Sequence, residues 1–424
     1  MQTRAIQEVP QRLSQAEADA ICARHERLWR ARPGGARGVF AWMDLSGLDF
    51  SGRNLTDTDF SGAIAVGCNL SGAKLDNANL FGADLREADL SNASLRRADL
   101  RGACLRGANL SGADLFEADL REGALATADA RTGYRVLKPD GRPSDAQGVS
   151  LVGANLERSR LTGIIAVRAD FTDAVMRDCK LVRANLKQAT FNGADLAGSD
   201  LSGADLSGAD LTDAVLVGIK TEAWRTDGAD LSGALTDAGS GQRNVSPQQA
   251  AERLGAHARW CESSGQDGQP SVFDDLDLRL LESVRGFNLT ALSARRAVFY
   301  GLDMQGVKLQ GAHLEGADLR TCNLRGADLR GARLAGAKLN DADLRQAHLG
   351  PLLIGQDRLL PADLTGAVLR GADLSGADLR HACLAEADLR RARLAGAQTK
   401  LADFTLAQLV GASGLDYPSK ETPQ

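Results

Sequence analysis

A large apolar residue recurs at every fifth position over most of this chain. The first run reads Leu45, Phe50, Leu55, Phe60, then Leu70 through Leu125, broken only by Ala65. A second begins at Leu151 and holds its phase to Leu216, with Phe171, Met176 and Phe191 standing for Leu. A third starts at Leu289 and stays in phase to Leu394, followed by Phe404 and Leu409. The typical unit is A-[D/N]-L-[S/R]-G. Residues five apart on a helix differ by about 140° in azimuth, so a helix would scatter these side chains round every side. In an extended chain, side chains alternate, so Ala and Leu of A-D-L point one way and the Asp or Asn points the other. The S-G or R-G pair that follows is turn chemistry, Gly supplying an unusual φ without steric cost. Each unit predicts one short side and one corner, and four sides close a square coil. Successive coils stack as parallel strands about 4.8 Å apart, with Leu on Leu and Ala on Ala inside. The preference of parallel crossovers suggests a right-handed coil.

The stretches ANLSGADLFEADL, ADLSGADLSGADL and ADLRGARLAGAKL resemble the pentapeptide-repeat family, over roughly residues 40–237 and 285–412. The resemblance implies an all-β solenoid, a right-handed quadrilateral parallel β-helix. It also implies an alternative function. Quinolone-resistance members resemble a DNA duplex in shape and charge and act on type II topoisomerases, some through projecting loops. This chain departs from them in its modest net charge, a basic loop and no evident C-terminal dimerising helix.

Two tandem stacks are predicted, each preceded by a short capping helix. Ser14 and Glu17 form a capping-box pattern before one helix, which Gly34–Gly35 end; Ser246, Pro247 and Gln249 repeat the start signature. Both helices carry His then Trp (His25 and Trp29, His257 and Trp260), and both lead to a Val-Phe pair (Val39-Phe40, Val272-Phe273). This reads as an internal duplication in which the four aromatic side chains pack the caps over open solenoid ends. The boundaries follow: 1–39 N-terminal segment with helix, 40–237 first β-helix, 238–272 linker with second helix, 273–416 second β-helix, 417–424 tail. Residues 130–150 break the pattern and are expected to project as a loop with Arg131, Tyr134, Arg135, Lys138 and Arg142 as candidate contacts. Residues 350–361 keep length and phase but would turn Asp357 inward, so a distorted coil is expected there.

Composition agrees with a narrow, regular interior: 43% of the 424 residues are hydrophobic but only 4% aromatic. The net charge of −5 announces no nucleic-acid footprint. No apolar run approaches a membrane span, and the N-terminus lacks a secretory apolar region. Seven Cys without CxxC pairing, several of them in Ala positions, fit a reducing cytoplasm. No nucleophile, phosphate-loop or zinc motif is present, so neither catalysis nor a cofactor nor a metal is expected. Residues 44–125 hold 8 basic against 13 acidic side chains, whereas 271–411 hold 18 against 17. At twenty residues per coil, outward ladders without a cation run Asp49, Asn69, Asp89, Asn109, Asp129 and Ser150, Asp170, Thr190, Asp210, Asp230. In the third run Arg often follows Leu, two residues after an Asp it can neutralise. The expected function is a non-catalytic scaffold presenting flat β-helix faces to an unidentified protein, without direct nucleic-acid binding or a membrane span.

Overall fold

A computed structural model describes residues 10–122, 126–129, 133–136, 144–238, 243–281, 283–356 and 358–415. The chain divides into two compact units, Met1–Ser240 and Gly241–Gln424, each with its own apolar core. Within each, the backbone is a square coil. Parallel bridges join residues twenty apart on four successive sides, as in Asp84↔Cys104, Asp89↔Asn109, Ser94↔Asp114 and Asp99↔Asp119.

The pentad is a complete hydrogen-bonding unit, which explains its composition. In Asp99-Leu100-Arg101-Gly102-Ala103, the Leu100 N–H donates forward to the Asp119 carbonyl (2.8 Å) and Gly102 to Arg121 (3.0 Å). Ala103 closes the corner on Leu100 (3.0 Å), and Cys104 donates back to Ala83 (2.9 Å). The Arg101 N–H is left over, and the Asp99 carboxylate takes it at 3.1 Å. All backbone donors of the turn are thereby satisfied. Leu and Ala point inward and are buried along the shaft, less fully in the terminal coils; Leu100 and Ala103 are 0% and 1% exposed. Phenylalanines at the same register stack coil on coil, Phe171 on Phe191 at 4.8 Å and 3°. The corner residue before Ala lies at positive φ. Gly62 needs that freedom twice over, since φ is 61° and a Cβ there would meet the Trp42 ring at 2.4 Å.

Two segments leave the shaft. In unit 1, Cys104 bridges Asp145 and Asn109 bridges Ser150, so one coil carries an insertion and the repeat resumes at Ser144. Strands β1 (Ala126–Asp129) and β2 (Gly133–Val136) pair antiparallel inside it. Further along, β3 (Val215–Leu216) and β4 (Leu235–Thr236) widen a side bridge to two residues.

In unit 2, Arg333 bridges Asp363 and His348 bridges Asp378, so residues 350–356 and 358–361 do not form a distorted coil, and Asp357 lies outside the described residues. They are expelled. Strands β7 (Leu352–Leu353) and β8 (Leu359–Leu360) make a small antiparallel hairpin. Ten residues are two pentads, so the register on either side survives the excursion. The hairpin leans on the shaft at Gly331, where a Cβ would meet Leu352 Cβ at 2.9 Å and Leu360 Cδ2 at 3.1 Å.

Both units begin alike. Arg12 bridges Asp44, and β5 (Arg243–Asn244) pairs in parallel with β6 (Leu276–Asp277). Helices α1 (Gln15–Trp29) and α2 (Pro247–Glu262) follow, with Ser14 and Ser246 as N-caps; only Ser14 has the reciprocal Glu17 contact of a full capping box. On α1, Ala18 and Cys22 join the core of unit 1, as Ala250 and Leu254 of α2 join that of unit 2. The Gln15 amide imitates a strand edge. It donates to the Asp49 carbonyl and accepts from the Asp49 N–H, both at 2.8 Å.

Candidate interaction surfaces

The two acidic ladders expected in unit 1 are one. The insertion shifts the register, so Asn109 is followed on its side by Ser150. Asp129 is therefore not a rung: it lies on β1, opposite Gly133. The strip runs Asp49, Asn69, Asp89, Asn109, Ser150, Asp170, Thr190, Asp210, Asp230. The residues two positions on are Ser51, Ser71, Ser91, Ser111, Val152, Thr172, Asn192, Thr212 and Ser232, without a cation among them. Each of the five carboxylates accepts the backbone N–H two residues on at 2.9 Å. Hydrogen bonds from Ser51 and Ser232 hold Asp49 and Asp230 below the usual carboxylate range. Asn109 relieves the column by donating to Asp89 at 3.1 Å.

Of the loop residues, Arg131, Lys138 and Arg142 lie outside the described residues; Tyr134 and Arg135 lie on β2, paired with Ala128 and Thr127.

Unit 2 presents paired charge. Arg330 grips Asp328 through Nε at 2.8 Å and Nη2 at 2.6 Å, and Arg345, Arg380 and Arg390 repeat the fork on Asp343, Asp378 and Asp388. The Arg345 and Arg380 hydrogen bonds hold Asp343 and Asp378 below the usual range. Arg320 makes the same fork while almost fully buried. Sequence reasoning missed the apolar display beside these pairs. On the β7–β8 hairpin, Leu353, Ile354 and Leu359 are 63%, 44% and 50% exposed. The available signal was Gly350-Pro351 opening a stretch with no A-[D/N]-L unit.

A buried histidine pins each helix. His25 and His257 are each 1% exposed. Nδ1 of His25 accepts the Gly38 N–H at 3.1 Å, and Nδ1 of His257 accepts that of Ser271 at 3.0 Å. Nε2 of His257 is 3.1 Å from the Thr290 carbonyl. Nε2 of His25 is buried with the Thr56 carbonyl on its side but outside hydrogen-bonding geometry. Trp29 meets His25 edge-on at 6.4 Å and stays exposed, while Trp260 lies 5.8 Å from His257 and is half-buried.

Reactive chemistry does not converge. Among the described residues no group of three or more His, Cys, Asp or Glu could hold a metal. An open cleft of about 610 Å³ beside the hairpin contains Asp328 and Asp378, but each is held by its arginine. Burial pushes the Cys68 and Cys179 thiols up to about 11 and about 12, far from a nucleophile's range. No helix among the described residues is long and apolar enough to cross a membrane.

A family model described as pentapeptide repeats matches in eight copies, at residues 44–82, 78–116, 93–129, 144–181, 179–218, 312–350, 362–396 and 382–413, more than half of the chain. No curated protein matches it. Among solved structures, the chain is similar to Rfr23, a pentapeptide repeat protein from the cyanobacterium Cyanothece 51142. That alignment is 27% identical, covers 32% of this chain and 91% of the other, and has a TM-score of 0.27. HetL, a pentapeptide repeat protein involved in heterocyst differentiation regulation from Nostoc sp. strain PCC 7120, is 24% identical over 87% of this chain and 93% of its own, with a TM-score of 0.14. Full-length QnrB1, a plasmid-mediated fluoroquinolone resistance protein, is 22% identical over 51% of this chain and 92% of its own, with a TM-score of 0.20.

Proposed function

The chain belongs to the pentapeptide-repeat family, whose members form right-handed quadrilateral β-helices, and from that premise we propose that it is a non-catalytic protein-interaction scaffold of two capped β-helices. The observation that carries this reading is the β7–β8 hairpin. Mid-shaft, where the inward Leu and Ala are buried, the chain expels ten residues and leaves Leu353, Ile354 and Leu359 in solvent, an exposure otherwise found at terminal positions such as Leu401, Leu406 and Val410 of the last coil. Such a display costs solubility and contributes nothing to the shaft, which is the signature of a contact surface. The cation-free strip of unit 1 and the loop around Tyr134 and Arg135 are the further candidate faces. Helices α1 and α2 act as end caps, covering coil edges that would otherwise invite association. The seven free cysteines, four of them buried, support a cytoplasmic setting.

Affinity capture from lysate of the source cells, followed by mass spectrometry, tests the reading. The wild type is compared with L353S/L359S and with a version lacking residues 123–143. A partner whose recovery drops about tenfold or more with one variant is expected, since a hot-spot loss of about 1.4 kcal/mol gives that factor. A recovered set unchanged by both variants counts against the scaffold.

A second reading, action on a type II topoisomerase through a DNA-like surface, is favoured by the strip, where five carboxylates align on one side without a cation. A gyrase supercoiling assay decides it. Inhibition that disappears when the strip is neutralised supports it, and no effect at micromolar protein sinks it.

A further inference from the structure

We infer that His25 and His257 are acid-operated latches: a proton on either imidazole frees the helix that carries it from the first coil of its own unit. The inference rests on the reading of α1 and α2 as end caps and adds their regulation.

The geometry leaves each ring one protonation state. Nδ1 accepts a backbone N–H from the segment entering the first coil, Gly38 in unit 1 and Ser271 in unit 2. A nitrogen that accepts a hydrogen bond carries no proton, so each docked ring is neutral with its hydrogen on Nε2. In unit 2 that hydrogen faces the Thr290 carbonyl, with Nε2 and the oxygen 3.1 Å apart. An imidazolium is a donor at both nitrogens. It would set N–H against N–H at Gly38 or Ser271, inside a site from which water is excluded. Docked helix and protonated histidine are therefore incompatible, and the same arrangement occurs in both units.

The surroundings do not rescue the charge. His25 is flanked by Glu26 on its own helix and by Asp57 from the first coil, which favour the proton, and by Arg37 from the lead-in, which opposes it. Burial is the largest effect and lowers its pKa from 6.5. His257 has no charged side chain acting on it among the described residues. Burial lowers its pKa as well, against the Thr290 carbonyl, which the Cys261 thiol also approaches at 3.5 Å.

The sign follows. Above pH 6.5 the ring is neutral whether the helix is docked or free. Below it, the free helix takes up a proton that the docked helix refuses. Docking is thus fully present at alkaline pH and is lost as the pH falls through 6.5 toward the lowered native value. Between pH 8 and pH 5 the opening equilibrium of each helix rises by up to about 30-fold, about one decade per pH unit below 6.5.

Hydrogen exchange of the full chain, read by mass spectrometry as protection corrected for the intrinsic pH dependence, tests this. The peptides span α1, α2, the two first coils and interior coils near residues 75–120 and 309–345. The expected result is a fall of about 10- to 30-fold in α1 and α2 protection beyond any change in the interior coils. His25→Asn keeps an oxygen where Nδ1 accepts from Gly38 but does not titrate. In that variant α1 loses its pH dependence while α2, in the same molecule, keeps it. A helix fall below about twofold, or an α1 fall that persists in His25→Asn, overturns the latch. Failure of the cap reading looks different: the helices would open in acid while the first coils, from Gly38 to Asp49 and from Ser271 onward, stayed fully protected.

Discussion

The outward Asp or Asn of each unit closes the one backbone donor that the square coil leaves over, and the inward Ala leaves room for the Leu on the same side. Polar groups at the Ala position find a buried partner, most often a carbonyl 23 residues back, as Cys68 does at Leu45 (2.8 Å), Cys179 at Leu156 (2.9 Å) and Ser199 at Met176 (2.6 Å), while Thr58 reaches the Leu55 carbonyl and Ser159 meets the Cys179 thiol. Ala327→Leu has no such outlet and is expected to destabilise unit 2 by about 1–3 kcal/mol in urea unfolding, the range for overpacked cores. An unchanged midpoint would show slack in the interior. Native Cys179, its thiol pushed up to about 12 and fully buried, is expected to resist a thiol reagent at pH 8 and to react once the coil is unfolded in urea. Labelling in the native state would contradict the close packing.

At the scale of elements, the caps and excursions set testable limits. Ser14→Ala removes the hydroxyl that accepts from the Glu17 N–H and donates to the Glu17 carboxylate, while the Ser14 backbone N–H keeps its contact with Glu17, so α1 is expected to lose about 1 kcal/mol of local protection in hydrogen exchange. Deleting residues 351–360 joins Leu349-Gly350 to residues 361–364 and restores a twenty-residue coil. Pro361 would then fall on the positive-φ corner, which its ring forbids. The deletion combined with Pro361→Gly is expected to fold with an unchanged or higher melting midpoint, and loss of unit 2 would mean that the hairpin is part of the shaft. These elements also mark what was legible in sequence. The five-residue spacing of Leu and the A-[D/N]-L-[S/R]-G unit carried the square coil, because both inward positions are needed on every side. Helix α1 was legible from Ser14 and Glu17. The hairpin was not, because ten residues preserve the phase of the repeat whether kept or expelled. The bridges of Arg12 to Asp44 and of β5 to β6 were invisible too, since two or three residues of strand leave no periodicity.

Across the whole molecule, the fold and its candidate surfaces occupy alternate positions of the same backbone. Unit 1 aligns five carboxylates on the strip, whereas unit 2 pairs Asp277, Asp318, Asp328, Asp343, Asp378 and Asp388 each with the Arg two residues on. The strip illustrates the reach of sequence reasoning on function. Counting by twenty placed Asp49 and Asp89 in one ladder and Asp170, Asp210 and Asp230 in another. It put Asp129 at the end of the first, because no pattern marks which residues an insertion removes from the coil. These side chains close a backbone donor, but their negative charge is displayed and does not hold the fold. Thermal unfolding of a variant with Asp49, Asp89, Asp170, Asp210 and Asp230 all changed to Asn tests this most directly. Asn can accept the same backbone N–H, as Asn69 does from Ser71 at 3.1 Å, so only charge is removed. A midpoint within about 2 °C of wild type, or higher at low salt as like charges are relieved, is the expected result. A drop of more than about 5 °C would make the strip structural and contradict its reading as a contact surface.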